Sequence, residues 1–176
     1  GLLLVKKIID DAPQITAEDI KPSAYTTMVY ANDGTTLLDT FVDAGSNRMY
    51  KSIDEIPVHL QNAFIAVEDS RFREHNGIDL KGIVRAGFTG ILSGNFSQGA
   101  STITQQLIKN SVFPDFIHED GLLDSLKRKI QEQYLAIELE KIMDKDTILV
   151  NYLNTINLGQ NTLGVQSASL RYFNKD

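Results

Sequence analysis

The run from Leu122 to Met143 constrains the fold more than any other stretch of this chain. Leu123, Leu126, Ile130, Tyr134 and Ile137 recur at three- and four-residue spacing and make one apolar stripe, the mark of an amphipathic helix. Arg128 and Glu132, four apart, share one face beside that stripe. The same face continues through Ala136 and Leu139, so Glu132 borders buried surface. Further helical patterns cover 57–71 (Leu60, Phe64 and Val67), 102–110 with Ser101 or Thr102 as cap, and 146–154 with Ile148, Leu149, Tyr152 and Leu153 inward. Asp54-Glu55-Ile56-Pro57 marks a helix start, and a last helix runs from Val165 to Phe173, after a loop framed by Gly159 and Gly164.

Only one region reads as strand. Tyr25 to Tyr30 is β-branched and aromatic, Asn32-Asp33-Gly34 is a turn signal, and Thr36 to Val42 is its partner in a small hairpin. Residues 6–24, with Pro13, Pro22 and mixed charges, read as a linker or stalk. The apolar start Gly1 to Val5 is too short to span a bilayer, which takes about 20 residues; it is either a short docking segment or the outer end of a membrane anchor. Residues 78–97 mix large apolar side chains with Gly82, Gly87, Gly90 and Gly94. They suit a closely packed core helix or a mobile surface that meets lipid.

At 176 residues the chain is one domain, or one domain with a tail. It has no cysteine, which excludes disulfides, thiol nucleophiles and thiolate metal sites. His59, His75 and His118 lack metal-ligand spacing. The net charge of −6 argues against a nucleic-acid partner, although Lys127-Arg128-Lys129 is a local basic cluster.

Two segments can carry chemistry. Gly99-Ala100-Ser101-Thr102-Ile103-Thr104-Gln105-Gln106 puts hydrogen-bonding side chains and a glycine directly before a helix. Upstream, Glu68 and Asp69 close another helix; adjacent side chains diverge by about 100°, so only one of them faces a given cleft. Either Glu68 is a general base with Asp69 holding local structure, or the pair is a solvated helix end. Arg128 and Glu132 are either an i,i+4 ion pair or part of a phosphate site with Lys129 and Lys109. Glu68 and Glu132 also fit the acid and base of a glycosidase.

Together these residues resemble the peptidoglycan glycosyltransferase domain of class A penicillin-binding proteins, glycosyltransferase family 51, over roughly Tyr25 to the end. The resemblance rests on five ordered motifs: Glu68, Asp69, Phe72, His75 and Gly77; Gly99 with Ser101 to Gln106; Arg128, Lys129 and Glu132; Ile148, Leu149, Tyr152, Leu153 and Asn154; and Gly164, Val165, Ala168, Tyr172 and Phe173. It implies a mainly α, lysozyme-like glycosyltransferase fold with the small N-terminal hairpin, divided as a membrane-proximal stalk over 1–24 and the transferase domain over 25–176. It implies polymerisation of lipid II, with undecaprenyl-pyrophosphate-linked glycan as donor. Glu68 would be the general base and Glu132 a second catalytic group at the donor pyrophosphate, acting directly or through a divalent cation (Mg or Mn). Asp69, Phe72, His75, Ser101, Thr102, Gln105, Gln106, Lys109, Arg128 and Lys129 would serve the substrate subsites.

The resemblance further implies the extracytoplasmic face of a bacterial membrane, a single N-terminal anchor, cell-wall synthesis proteins as partners, and a membrane-facing role for 78–97. The chain departs from the family pattern in a longer loop between Lys109 and Arg128, in Asp144-Lys145 where Ser-Lys is common, and in 157–163, which lack the usual aromatics. It ends at Asp176, before the family's last helices, and so reads as a truncated domain. Two rival functions remain: a lysozyme-like glycan hydrolase, and a non-catalytic cell-wall scaffold.

Overall fold

The computed structural model describes residues 1–22, 25–41, 47–93, 100–114 and 121–175, with backbone alone for 87–93. The order of elements is α1 (Leu2–Asp10), α2 (Ala17–Ile20), β1 (Thr27–Tyr30), β2 (Leu37–Phe41), α3 (Val58–Glu68), α4 (Leu80–Ser93), α5 (Ile103–Val112), α6 (Leu122–Ile142), α7 (Lys145–Thr155) and α8 (Val165–Phe173). The architecture is mainly α with one small antiparallel hairpin, as the sequence predicts. In the hairpin Thr27 pairs with Phe41 and Tyr30 with Leu37, with one register slip between Val29 and Tyr30. Of the long loop before α6, residues 115–120, with His118, lie outside the described residues, as do 94–99 with Gly99.

α5 is the central element. It packs against α6 and α7, and α2 packs on it too. Ile103, Leu107 and Ile108 of α5 meet Leu135 and Leu139 of α6 and Ile148, Leu149, Tyr152 and Leu153 of α7 in one buried cluster. These four α7 residues are the ones read as inward-facing. Asp144 caps α7 by accepting from the Thr147 N–H at 2.9 Å, so aspartate does there what serine would do. Thr102, one of the two caps expected for α5, accepts from the Gln105 N–H at 3.1 Å, and Gln105 Oε1 reaches back to the Thr102 N–H at 3.2 Å.

Two helical stripes lie elsewhere than expected. On α3, Val67 is 79% exposed and Leu60 is exposed as well. The inward face instead runs through Gln61, Phe64 and Ile65 to Glu68. Gln61 decides this, because its side-chain amide donates to the Ile53 and Ile56 carbonyls at 3.0 and 2.8 Å and turns its face of the helix inward. On α6, Leu122, Leu123 and Leu126 are exposed, while Gln131, Glu132, Leu135, Ala136 and Leu139 are buried. A helix of this length runs about 31 Å, longer than the core it crosses, so its first turns overhang. The face continued by Ala136 and Leu139 is the buried one, and Glu132 lies on it.

The stretch 1–24, expected as a membrane-proximal stalk, holds structure of its own over the described residues 1–22. α1 packs on α6, where Gln131 Nε2 donates to the Ile8 carbonyl at 3.0 Å. Ile20 of α2 is fully buried in the core. Leu2 to Leu4 point outward. Among the described residues no helix is long and apolar enough to cross a membrane.

Gly77 closes the turn after α3 with φ +88°. A β-carbon there would lie 2.5 Å from the Ala136 carbonyl oxygen, so the turn lies directly on the α6 backbone. Gly77→Ala should therefore lower stability by about 3 kcal/mol, from left-handed backbone cost plus overpacking. The urea unfolding midpoint of the variant against native protein checks this.

Candidate active site

α3 ends at Glu68, and Asp69 leaves the helix with φ −158° and ψ 73°. The two carboxylates then separate. Asp69 is buried, accepting from His75 Nε2 at 2.9 Å and from the Ile103 N–H, at the start of α5, at 3.1 Å. Glu68 is half-buried and accepts from Gln106 Nε2 at 2.9 Å. The structure thus sorts the pair as one structural acid and one acid at a cleft.

That cleft, of about 290 Å³, is bordered by Glu68, Ser70, Asp79, Arg85, Ala100 and Ser101, with Asp69 and Thr102 along its floor. Thr102 is buried and its hydroxyl is fully engaged, donating to the Gly77 carbonyl at 2.7 Å while accepting at the α5 cap. Phe72 and Gln105 lie beneath the surface, Phe72 in the hydrophobic core. His75 stands edge-on to Phe72 and borders a separate hollow with Arg71, Glu74 and Ile78. Lys109 is half-buried on α5, one turn beyond Gln106.

On α6, Glu132 is 1% exposed. Arg128 Nη1 bonds its Oε1 and Lys129 Nζ its Oε2, the latter at 3.0 Å. Lys129 also donates to the Ser101 hydroxyl at 2.6 Å. Ser101 therefore belongs both to the cleft that holds Glu68 and to the ionic cluster on α6. The ion-pair and phosphate-site readings of Arg128 and Glu132 are compatible: the pair exists, and Lys129, its second cation, meets Ser101 at the cleft.

Glu132 alone makes a poor hold for Mg or Mn. Such ions take several oxygen donors, whereas both Glu132 oxygens already carry a cation. Among the described residues no three carboxylate, histidine or cysteine side chains gather as a metal set.

Several contributors escaped the sequence reading. Arg85 borders the cleft from α4. Asp79 heads α4, accepting from the Gly82 N–H at 3.0 Å and pairing with Arg71, whose Nε lies at 3.3 Å. Burial pushes the Asp79 carboxyl up, but the Gly82 N–H and then the Arg71 guanidinium outweigh it and hold the group below the usual carboxylate range. Behind the site, Glu140 accepts from Thr104 Oγ1 at 2.6 Å and from Lys145 Nζ at 2.7 Å. Lys145 in turn lies 4.5 Å over the Phe72 ring. Spacing alone marks neither Arg85 at the cleft nor the Thr104–Glu140–Lys145 contacts, whose partners lie on different elements.

Residues 33–176 match the transglycosylase family. Penicillin-binding protein 1A of Clostridium perfringens strain 13 is 42% identical over 178 residues, covering 99% of this chain and 25% of that protein. The protein of the same name from Clostridium acetobutylicum is 47% identical over 148 residues, covering 82% and 18%. That of Escherichia coli K12 is 44% identical over 148 residues, covering 84% and 16%. The chain belongs to the transglycosylase family, and its domain is of the peptidoglycan glycosyltransferase class. It spans a quarter or less of the length of these curated relatives.

The low carboxyl of Asp79 sets a pH test. A carboxyl held low in the folded state stabilises the protein above its unfolded pKa and loses that contribution as pH falls through the folded value. Asp79→Ala should cost about 1 kcal/mol at neutral pH. The difference from native should shrink as pH falls below about 4, as read from paired urea midpoints.

Proposed function

We propose that this domain polymerises lipid II into glycan strands on the extracytoplasmic face of a bacterial membrane. The observation that carries the reading is Ser101, which joins the Glu68 cleft to the Arg128–Lys129–Glu132 cluster. A base and a cationic site for a departing phosphate thus stand on one polar surface.

In this reading Glu68 takes the proton of the acceptor's 4-hydroxyl on the GlcNAc of lipid II. That oxygen attacks the anomeric carbon of the donor strand. The bond from this carbon to the pyrophosphate oxygen breaks, undecaprenyl pyrophosphate departs with the electron pair, and the centre inverts. Charge grows on the leaving oxygens, and fixed cations beside them lower the barrier. Arg128, Lys129 and Lys109 supply that charge, with guanidinium suited to two phosphate oxygens at once. Glu132 holds Arg128 and Lys129 in place from beneath. Ser101 and Gln106 serve the sugar side. Asp69, Phe72, His75, Thr102 and Gln105 act as the frame on which those groups stand.

Membrane placement is supported by α4, where Leu80 and Val84 are exposed next to Lys81 and Arg85. A basic, apolar ledge suits a surface carrying anionic lipid.

In the full-length protein, Glu68→Gln should cut strand formation from lipid II by about 10²–10⁴-fold, the usual worth of a positioned base, while the unfolding midpoint holds. Undiminished polymerisation would remove Glu68 from the role. Release of small soluble muropeptides by the native protein would instead mark a hydrolase, and glycan binding without turnover a scaffold.

A further inference from the structure

Gln106 is held from two sides. Its Nε2 donates to Glu68 Oε2 at 2.9 Å, and its Oε1 accepts from the Tyr152 hydroxyl at 3.2 Å. Tyr152 is fully buried. Its ring stands edge-on to Phe64, with centroids 6.1 Å apart. Phe64 lies one turn before Glu68 on α3, so the phenol is registered against the helix that carries the carboxylate. Three helices meet in one chain of hydrogen bonds: α7 through Tyr152, α5 through Gln106 and α3 through Glu68.

A glutamine amide can point either way. Turned over, Gln106 would set its oxygen against the Glu68 carboxylate and leave the buried Tyr152 proton without an acceptor, two costs at once. Burial first, and then the negative charge of Glu68, push the Tyr152 hydroxyl above its ordinary range. The phenol therefore stays protonated and stays a donor.

We propose that Tyr152 is a positioning residue for the reaction: through Gln106 it fixes an N–H donor on Glu68 and sets the carboxylate's direction into the cleft. The proposal rests on the reading of Glu68 as the base. A hydrogen bond to the charged form of an acid favours that form, and a chain of bonds strengthens its last member. Tyr152 itself touches no substrate. The other charged groups bordering the cleft with Glu68 are Asp69, Asp79 and Arg85, and none of them lies on the path from Tyr152.

The test uses the full-length protein and Tyr152→Phe, which keeps the ring and removes the hydroxyl. Turnover of lipid II should fall about fivefold, the worth of one neutral hydrogen bond, in kcat rather than KM. The acid limb of the pH–rate profile should move to higher pH. Combined with Gln106→Ala, Tyr152→Phe should add no further loss. A second readout needs no turnover: the pH dependence of carbodiimide labelling at Glu68, read by peptide mass spectrometry, should shift upward in Tyr152→Phe. Should that variant misfold, 3-fluorotyrosine at 152, a stronger donor of the same shape, should shift the labelling midpoint downward. A Tyr152→Phe protein that loses stability while kcat, pH profile and labelling stay native would overturn the proposal, as would fluorotyrosine without effect. Native protein that labels as expected but makes no glycan would sink the proposed function and leave the relay standing.

Discussion

The buried carboxylate of Asp69 is the joint on which the site depends. It accepts from His75, within the turn after α3, and from the first backbone N–H of α5. Burying an acid is costly unless donors surround it, so this residue holds its place only while both elements hold theirs. Thr102 adds a second tie, from the α5 cap to the Gly77 carbonyl. Gly77 then lays the turn on the α6 backbone. With Asp69 turned inward off the helix end, Glu68, still helical, borders the cleft and meets Gln106.

The two glutamates of the site show how environment divides labour between identical side chains. Glu132 is dry and carries two cations, one on each oxygen. It is committed as their counter-charge, and removing it would leave the adjacent cations Arg128 and Lys129 without their shared partner. Glu68 has a neutral amide on one oxygen and opens to a polar cleft. Of the two, Glu68 lines the cleft and Glu132 does not. A base must be free to take a proton, and a counter-ion must not be. In the proposed function these demands fall to one glutamate at a helix end and another in mid-helix against the core.

The sequence was most legible where one residue type has one use. The cap at Thr102, the inward stripe of α7 and the glycines framing the loop before α8 could all be read locally. It was least legible where long-range partners decide which face turns inward. Val67 and Leu60 fit a helical stripe as well as Phe64 does, yet Gln61 reaches the backbone of residues 53 and 56 and rotates α3 away from them. Leu123 and Leu126 fit the α6 stripe but lie beyond the core they would cover. Tyr152 reads as one more inward aromatic, because periodicity reports burial and is blind to what a hydroxyl meets. Pro13 and Pro22 look like a linker, although Ile20 between them is anchored in the core.

The same long-range logic explains the first turns of α4. Leu80 and Val84 point away from the body, while Gly82 is buried against Asp79. A core helix would show the reverse, with large side chains inside and small ones out. Here the missing side chain lets the first turn of α4 sit close on the Arg71–Asp79 pair, and Leu80 and Val84 are left outside. Arg85 belongs to both surfaces, bordering the polar cleft and standing with Leu80, Lys81 and Val84 on the apolar ledge. A substrate with a polar sugar and phosphate at one end and a hydrocarbon chain at the other presents that same succession of surfaces. The polar end needs the cleft and its cations, and the chain needs an apolar surface within reach of them. Arg85 stands at the boundary of the two surfaces.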